Sequence, residues 1–399
     1  MAAMTDLLTI EEALARIFER VQPVPAENVA IGDAAGRVLA EEVRAAVDLP
    51  PFPSSAMDGF AVRAQDTPGT LPVTLRVAAG RPSPRPLGPG EAMGISTGGV
   101  VPEGADAVIP IESVAESANE IVIAEPVEPG ANVRAVAGDV RAGDPVLAAG
   151  VVLSPARIGA LAAAGVASVR CSRLPRAAVL STGTELRPPG EHLAPGQIYE
   201  SNSLMLAAAL AGAGAEVERL EPVADDPAAH RAALERGLAA DLLVSSGGVS
   251  VGPHDLVRSV GAELGVDEVF WRVAVKPGKP VAFGVRGRTL VFGLPGNPVS
   301  ALVGFELFVR PALRALVGDA EPGPRFELGV LAEPLRRIAA RDQLVRARSS
   351  LHAGETVLKP LRGQESHMIA RAASADALVH VPLGEGELPA RARVRFLPI

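Results

Sequence analysis

Three times in this chain an apolar run ends in a loop of small residues and then reopens as a helical pattern. Ala177-Ala178-Val179-Leu180 runs into Ser181-Thr182-Gly183-Thr184-Glu185, and Leu242-Leu243-Val244 runs into Ser245-Ser246-Gly247-Gly248-Val249-Ser250. Leu290-Val291-Phe292-Gly293-Leu294 breaks at Pro295-Gly296-Asn297-Pro298-Val299-Ser300. Each reads as a strand, a tight loop and a helix start. Between residues 176 and 318 the helical stretches 203–212, 227–238, 254–264 and 298–317 alternate with such strands, which predicts a three-layer α/β sandwich. In a parallel sheet these strand ends lie on one edge, where open α/β folds bind their ligands. The junctions also aim backbone N–H groups and the positive end of a helix dipole at one point, a natural place for an anion. Gly and Ser also simply make turns, so a single loop of this kind carries little weight. No Gly-x-x-x-x-Gly-Lys-Ser/Thr loop and no Gly-x-Gly-x-x-Gly fingerprint occurs, which removes the P-loop and dinucleotide readings.

The flanking stretches differ in character. Thr9-Ile10-Glu11-Glu12 is a capping-box pattern that opens a helix with Leu14, Ile17, Phe18 and Val21 on one face. From residue 47 to residue 140, short strands such as 73–78, 107–111 and 121–124 are separated by Pro and Gly clusters, which predicts a small β domain. Ser154-Pro155 starts a helix running to Gly165, with Pro at its first position, and residues 171–175 read as a linker. Beyond residue 320, short strands with turns such as His352-Ala353-Gly354-Glu355 predict a small β barrel or roll. No repeat at the roughly 20–50-residue period of solenoids is present.

A length of 399 residues suggests two to four domains, and 48% hydrophobic content is ample for a sizeable core. The apolar runs stay short of the roughly 18 residues a membrane span needs, and no basic region followed by an apolar stretch opens the chain. The expectation is a soluble, cytoplasmic protein. Cys171 is the only cysteine, so no intramolecular disulfide forms, and a buried small hydrophobe is its expected role. A net charge of −8, one Trp, one Tyr and no lysine run argue against a nucleic-acid surface. The six histidines are scattered, with no pair at helical ligand spacing for zinc.

Positive potential must then be local. Of the 38 lysines and arginines only three are lysines, and two of them, Lys276 and Lys279, share the stretch Val275-Lys276-Pro277-Gly278-Lys279-Pro280. An ammonium is a compact charge with three donors that meets a phosphate or tetrahedral oxyanion without demanding the fork geometry of a guanidinium. Lys, Pro and Gly also favour a solvated hairpin turn.

More motifs extend along the chain: Ser54-Ser55-Ala56-Met57-Asp58-Gly59-Phe60-Ala61-Val62, Ser96-Thr97-Gly98 with Gly104-Ala105-Asp106-Ala107-Val108, Asn132-Val133-Arg134, and Gly196-Gln197-Ile198-Tyr199-Glu200-Ser201-Asn202. With Ser246-Gly247-Gly248-Val249-Ser250, the lysine loop and residues 295–300, the whole set resembles the molybdopterin molybdenumtransferases. This is the MoeA family, which includes the C-terminal part of gephyrin and the corresponding plant domain. The resemblance implies an elongated four-domain homodimer of class α/β plus β. Residues 1–46 and 141–172 would form a discontinuous linker and dimerisation domain, 47–140 the small β domain, 173–320 a MogA-like α/β molybdopterin-binding domain, and 321–399 the C-terminal barrel. The implied reaction inserts molybdenum from molybdate into the dithiolene of adenylylated molybdopterin and releases AMP, with Mg²⁺ as cofactor. Other molybdenum-cofactor enzymes are further implied partners; nucleic acid and membrane are not.

Under that resemblance, Lys276, Lys279, Asp58, Thr97, Asp255 and Glu185 are the catalytic candidates. Substrate would meet Thr182, Gly183, Ser246, Gly247, Gly248, Ser250, Arg272, Pro277, Gly278, Pro295, Gly296, Asn297, Pro298, Ser300 and Asp139. Arg346 and Ser366, the latter in Gly363-Gln364-Glu365-Ser366-His367, match positions that resemble a molybdate-side wall in relatives. Magnesium prefers oxygen ligands, so Glu185, Asp225, Asp226 and Asp255 are metal candidates. Asp226 before Pro227 and Asp255 near a helix start equally fit helix capping, and Met57-Asp58-Gly59 contains an Asp-Gly hairpin signal. Two departures stand out: Ala137-Gly138-Asp139 where relatives commonly have Gly-Glu-Asp, and Thr184 where an Asp or Asn is frequent. Adenylyl transfer to molybdopterin and a non-catalytic pterin or oxyanion carrier remain alternatives. The flanking β domains argue against the former.

Overall fold

The computed structural model describes residues 7–248 and 256–399, so Val249, Ser250 and Asp255 lie outside the described residues. The helices that frame the site are α1 (Ile10–Phe18), α2 (Pro155–Ala163), α3 (Asn202–Gly212), α4 (Pro227–Gly237), α5 (Leu256–Glu263), α6 (Pro298–Gly304) and α7 (Arg310–Leu316). A six-stranded sheet runs between them in the order Glu216–Arg219, Arg176–Ser181, Leu242–Ser246, Thr289–Leu294, Ala282–Arg286, Asp267–Trp271. The first four strands are mutually parallel, and Ala282–Arg286 is antiparallel to both its neighbours.

A parallel sheet must be covered on both faces, and successive residues of a strand point to opposite faces. Ala177, Val179, Leu242 and Val244 accordingly join a core with Leu206 and Leu210 of α3, Val303 of α6 and Leu313 of α7. Ala178, Leu180 and Leu243 pack on the other side with Leu234 of α4 and Val257 and Val260 of α5. This is the three-layer sandwich read from the sequence. Each fully buried leucine in it contributes about 2 kcal/mol.

Helix α1 opens with the expected capping box, Thr9 and Glu12 bonding each other's backbone amides. Its partner differs from expectation. Ile10, Ala13, Leu14 and Ile17 are buried in the sandwich core beside α7 rather than in the linker domain to which residues 1–46 were assigned. The apolar stripe of an amphipathic helix dictates that it docks, not where. The expected single helix over 298–317 is interrupted by a buried π-helical segment, Phe305–Val309, in which Glu306 pairs with Arg310.

The linker domain itself pairs Ala26–Ala30 antiparallel with Ser168–Ser172 and carries α2, capped by Ser154 with Pro155 at its start. Cys171 is fully buried there among Val29, Leu39, Leu153 and Leu161, and burial pushes its thiol pKa up. The small β domain holds its own six-stranded sheet around Gly59–Val62. At the C-terminal end, Asp342–His352, Glu355–Pro360, Glu327–Leu331, Arg393–Pro398 and Ala377–Val381 close into a five-stranded barrel. Its first hairpin turns at Ala353 (φ 49°) and Gly354 (φ 82°), a left-handed pair that matches the twist of the strands. Val275–Lys276 adds to this barrel in parallel, Val275 opposite Asp342 and Lys276 opposite Gln343. The lysine loop is therefore shared between sandwich and barrel. Among the described residues, no helix is long and apolar enough to cross a membrane.

Candidate active site

The ends of three adjacent parallel strands stand in one row, with Ser181, Ser246 and Leu294 in register. Backbone bonds continue past the strands: Thr182 N–H donates to Ser246 O (3.0 Å) and Gly247 N–H to Leu294 O (3.1 Å). Close approach explains the glycine at 247. Its φ is +95°, and a Cβ there would lie 2.7 Å from both Thr182 O and Thr182 Oγ1. On the other side, a Cβ on Gly296 would stand 3.7 Å from Gly247 Cα, so the second and third loops abut. Thr182, Gly183, Ser246, Gly247, Gly248, Pro295, Gly296 and Asn297 thus form one continuous edge, as the sequence suggested.

Two residues not singled out from the sequence hold that edge together. The side-chain amide of Asn202, at the start of α3, donates to Ser246 Oγ (2.8 Å) and Gly296 O (2.7 Å), and Ser246 Oγ donates to Pro295 O (3.2 Å). Glu200, 5% exposed, accepts from Ser181 Oγ (2.8 Å), Ser203 N–H (2.7 Å) and Ser203 Oγ (2.6 Å). The Ser246 hydroxyl is consequently engaged inside the fold rather than free for substrate. The only sequence signal for the pair was their place at the end of the Gly196 to Asn202 motif.

The start of α6 is also occupied. Pro298 sits in its first turn, Asn297 makes no side-chain cap, and Val299 N–H donates to Ser366 O (3.1 Å). That bond brings the Gly363 to His367 loop of the barrel to the strand-end row. Arg346 organises this loop instead of facing a ligand. It is 1% exposed and donates to Met368 O (2.9 Å), Gly363 O (2.9 Å) and Glu365 O (3.2 Å). Desolvation lowers its pKa. The expectation of Arg346 as a substrate-side wall is corrected accordingly: the loop turns three carbonyls inward, and a buried fork of donors binds them, Gly363 O as well as Glu365 O and Met368 O, which also accept from the backbone amides of Met368 and Ala372.

The lysine loop docks on the same region. Gly278 (φ +106°) faces Ser300 O, which a Cβ would meet at 3.4 Å, and the Lys276–Pro277 peptide is cis. Lys276 is exposed and Lys279 half-buried, and among the described residues no carboxylate pairs with either. Lys276 lines a cavity of about 650 Å³ with Arg336, Arg337, Gln343 and residues 384–386 of the barrel. Arg272 packs against its neighbour in the chain. Its guanidinium stacks on the Trp271 ring at 3.7 Å from the centroid, with Arg258 at 4.1 Å from the same ring. A second cavity, about 680 Å³, lies between α4, α5 and the outer strands and is lined by Leu238, Val257, Trp271 and Gly284, without any of the lysine-loop residues.

The carboxylate candidates separate. Thr182 bridges to Val223, and Gly183 N–H donates to Val223 O (3.0 Å), which brings Asp225 and Glu185 to the same rim, both exposed. Asp226 instead caps α4, its Oδ2 accepting from Ala229 N–H (2.7 Å). Capping satisfies an orphan helix amide, which gives Asp226 a structural role that Asp225 lacks. Asp255 and Ser250 lie outside the described residues. Among the described residues, no cluster of three or more His, Cys, Asp or Glu could hold a metal unaided.

Asp58 and Thr97 are joined to each other, Thr97 N–H donating to Asp58 Oδ1 (2.7 Å), and both are exposed. Asp139 is exposed at the junction of linker and small β domain, its amide donating to Leu49 O (2.9 Å). Among the described residues, no hydrogen bond or ion pair connects these three to the strand-end row.

Comparison with known proteins accounts for the whole arrangement. Three family models match in succession: "MoeA N-terminal region (domain I and II)" over residues 8–165, "Probable molybdopterin binding domain" over 178–315, and "MoeA C-terminal region (domain IV)" over 329–399. Molybdopterin molybdenumtransferase 2 of Mycobacterium tuberculosis is 38% identical over 387 residues, covering 93% of this chain and 94% of that protein. The molybdopterin molybdenumtransferase of Haemophilus influenzae is 37% identical over 322 residues, 79% of each chain. A crystal structure of a molybdopterin biosynthesis MoeA protein from Pyrococcus horikoshii superposes with a TM-score of 0.81 at 33% identity, covering 98% of this chain and 99% of that chain. With relatives this similar along nearly its full length, the chain belongs to the molybdopterin molybdenumtransferase (MoeA) family.

Proposed function

We propose that this protein is a molybdopterin molybdenumtransferase of molybdenum cofactor biosynthesis, inserting molybdenum from molybdate into the dithiolene of adenylylated molybdopterin with release of AMP. The observation that carries this reading is the meeting of the lysine loop, the strand-end row and the barrel loop, fixed by Gly278 against Ser300 O and by Val299 N–H on Ser366 O. An adenylylated pterin presents a pyrophosphate, and amide-rich loops suit it. Molybdate is a small tetrahedral dianion. Unpaired ammonium groups at Lys276 and Lys279 suit its charge, and they offset the negative charge that develops as the phosphoanhydride opens.

Mg²⁺ fits the residues present. Glu185 and Asp225 are two exposed carboxylates on one rim, and magnesium commonly binds through one or two carboxylates plus substrate phosphate oxygens. When bound, the ion supplies charge that screens the phosphates. Asp58 and Thr97 enter the reaction in this reading from the second subunit of a homodimer, since among the described residues no hydrogen bond or ion pair ties them to the row. Soluble substrates of this kind agree with a cytoplasmic protein.

The test is to incubate the protein with adenylylated molybdopterin, molybdate and Mg²⁺. AMP release that requires molybdate is the expected result. ATP consumption with bare molybdopterin, or tight binding without turnover, would replace the proposal with adenylyl transfer or with a carrier role.

A further inference from the structure

Glu200 and Asn202 stand two residues apart at the entrance to α3, yet between them they reach all three strand-end loops. Glu200 grips Ser181 at the end of the first strand and, through Ser203, the first turn of α3. Asn202 grips Ser246 at the end of the second strand and Gly296 in the loop after the third. The backbone ladder fixes Ser181, Ser246 and Leu294, and two more backbone bonds extend it only to Thr182 and Gly247. Beyond that point, these side chains set the spacing of the loops. Ser181, Ser203 and Ser246 are all nearly or fully buried, so the Glu200 bonds lie away from competing water, while the Asn202 bond to Gly296 O is exposed.

We propose that Glu200 and Asn202 are positioning residues for the transferase reaction, holding the three phosphate-facing loops at one spacing without touching substrate. The inference rests on the function proposed above. Glu200 acts here as a hydrogen-bond acceptor and not as a charge: its donors are two hydroxyls and one amide. Asn202 acts as a two-handed donor, and its Oδ1 is buried without a partner among the described residues, which leaves Nδ2 as the working end. A displacement of about 1 Å in such loops is enough to cost about a hundredfold in rate.

Conservative substitutions separate this role from catalysis or metal binding. In Glu200→Gln the carbonyl oxygen still accepts from Ser181 and the Ser203 amide, while the new NH₂ donates to a Ser203 hydroxyl free to rotate. Asn202→Asp keeps the shape but sets an acceptor against Gly296 O. The experiment measures kcat and KM for molybdate-dependent AMP release, and in parallel amide hydrogen exchange over residues 181–184, 246–248 and 295–297 of the full chain. Glu200→Ala and Asn202→Asp should each lower kcat about 10- to 100-fold with a smaller change in KM, and speed exchange in the loops. Glu200→Gln should restore most of what Glu200→Ala loses in both readouts. A Glu200→Gln protein as impaired as Glu200→Ala means the charge itself is used, and the proposal fails. Unchanged exchange and rate in Asn202→Asp also overturn it. If Glu200→Ala does not fold, the contrast between Glu200→Gln and Asn202→Asp decides. If the wild-type protein releases no AMP, the functional reading has failed, and the exchange contrast still tests the positioning role by itself.

Discussion

The strand-end row and the Asp58–Thr97 turn carry motifs of the same family, but the fold treats them in opposite ways. The row is assembled from segments far apart in sequence, with Thr182, Asn202, Ser246, Gly296, Gly278 and Ser366 linked by backbone, side-chain and packing contacts. The turn is tied within its own β domain, among other bonds by Thr97 N–H on Asp58 Oδ1 and Ile111 N–H on Asp58 O. Around it stand exposed apolar side chains, Phe52, Met57, Ile111 and Val136. We read the exposed acid on its apolar rim as a half-site whose other wall a second subunit supplies, as proposed above.

The contrast can be broken most sharply at Lys276, whose ammonium the row leaves unpaired. Lys276→Ala should lower AMP release by about a thousandfold and leave the urea midpoint unchanged, because the side chain is exposed. Lys276→Arg should rescue little, since a planar fork does not reproduce a compact charge. Near-normal turnover in Lys276→Ala would remove the row from the reaction. A step smaller, Arg346→Leu should destabilise the fold by about 3 kcal/mol in urea unfolding, because the loop loses three hydrogen bonds from a buried charged donor. A loss of activity without that destabilisation would restore Arg346 as a ligand-facing residue. The smallest effect belongs to the rim carboxylates. Asp226→Ala should cost about 1 kcal/mol of stability and leave the Mg²⁺ requirement alone. Asp225→Ala should instead raise the Mg²⁺ concentration for half-maximal activity about tenfold. The reverse outcome would exchange their roles.

Much of this was legible in the sequence because it follows from local chemistry. Apolar runs closing on Ser181-Thr182-Gly183 and Ser246-Gly247-Gly248 announce buried parallel strands with tight ends, and Ser154-Pro155 announces a helix start. What escaped depends on partners distant along the chain. Arg346 looks like a substrate-side residue until the carbonyls of Gly363, Glu365 and Met368 are seen on its guanidinium. Glu200 looks like one more exposed carboxylate until Ser181, nineteen positions earlier, reaches it. The stripe of α1 fixed that the helix docks and left open that α7 receives it.

The central claim is that one active site needs the row of one chain and the Asp58 turn of another. Mixing two inactive proteins tests it directly: Asp58→Ala and Lys276→Ala are dissociated, combined and reassembled, and hybrid formation is verified with differently tagged chains. Each hybrid dimer then holds one intact site, so the mixture should regain roughly a quarter of wild-type AMP release, as two-fold symmetry dictates. Verified hybrids no more active than either parent would contradict the account.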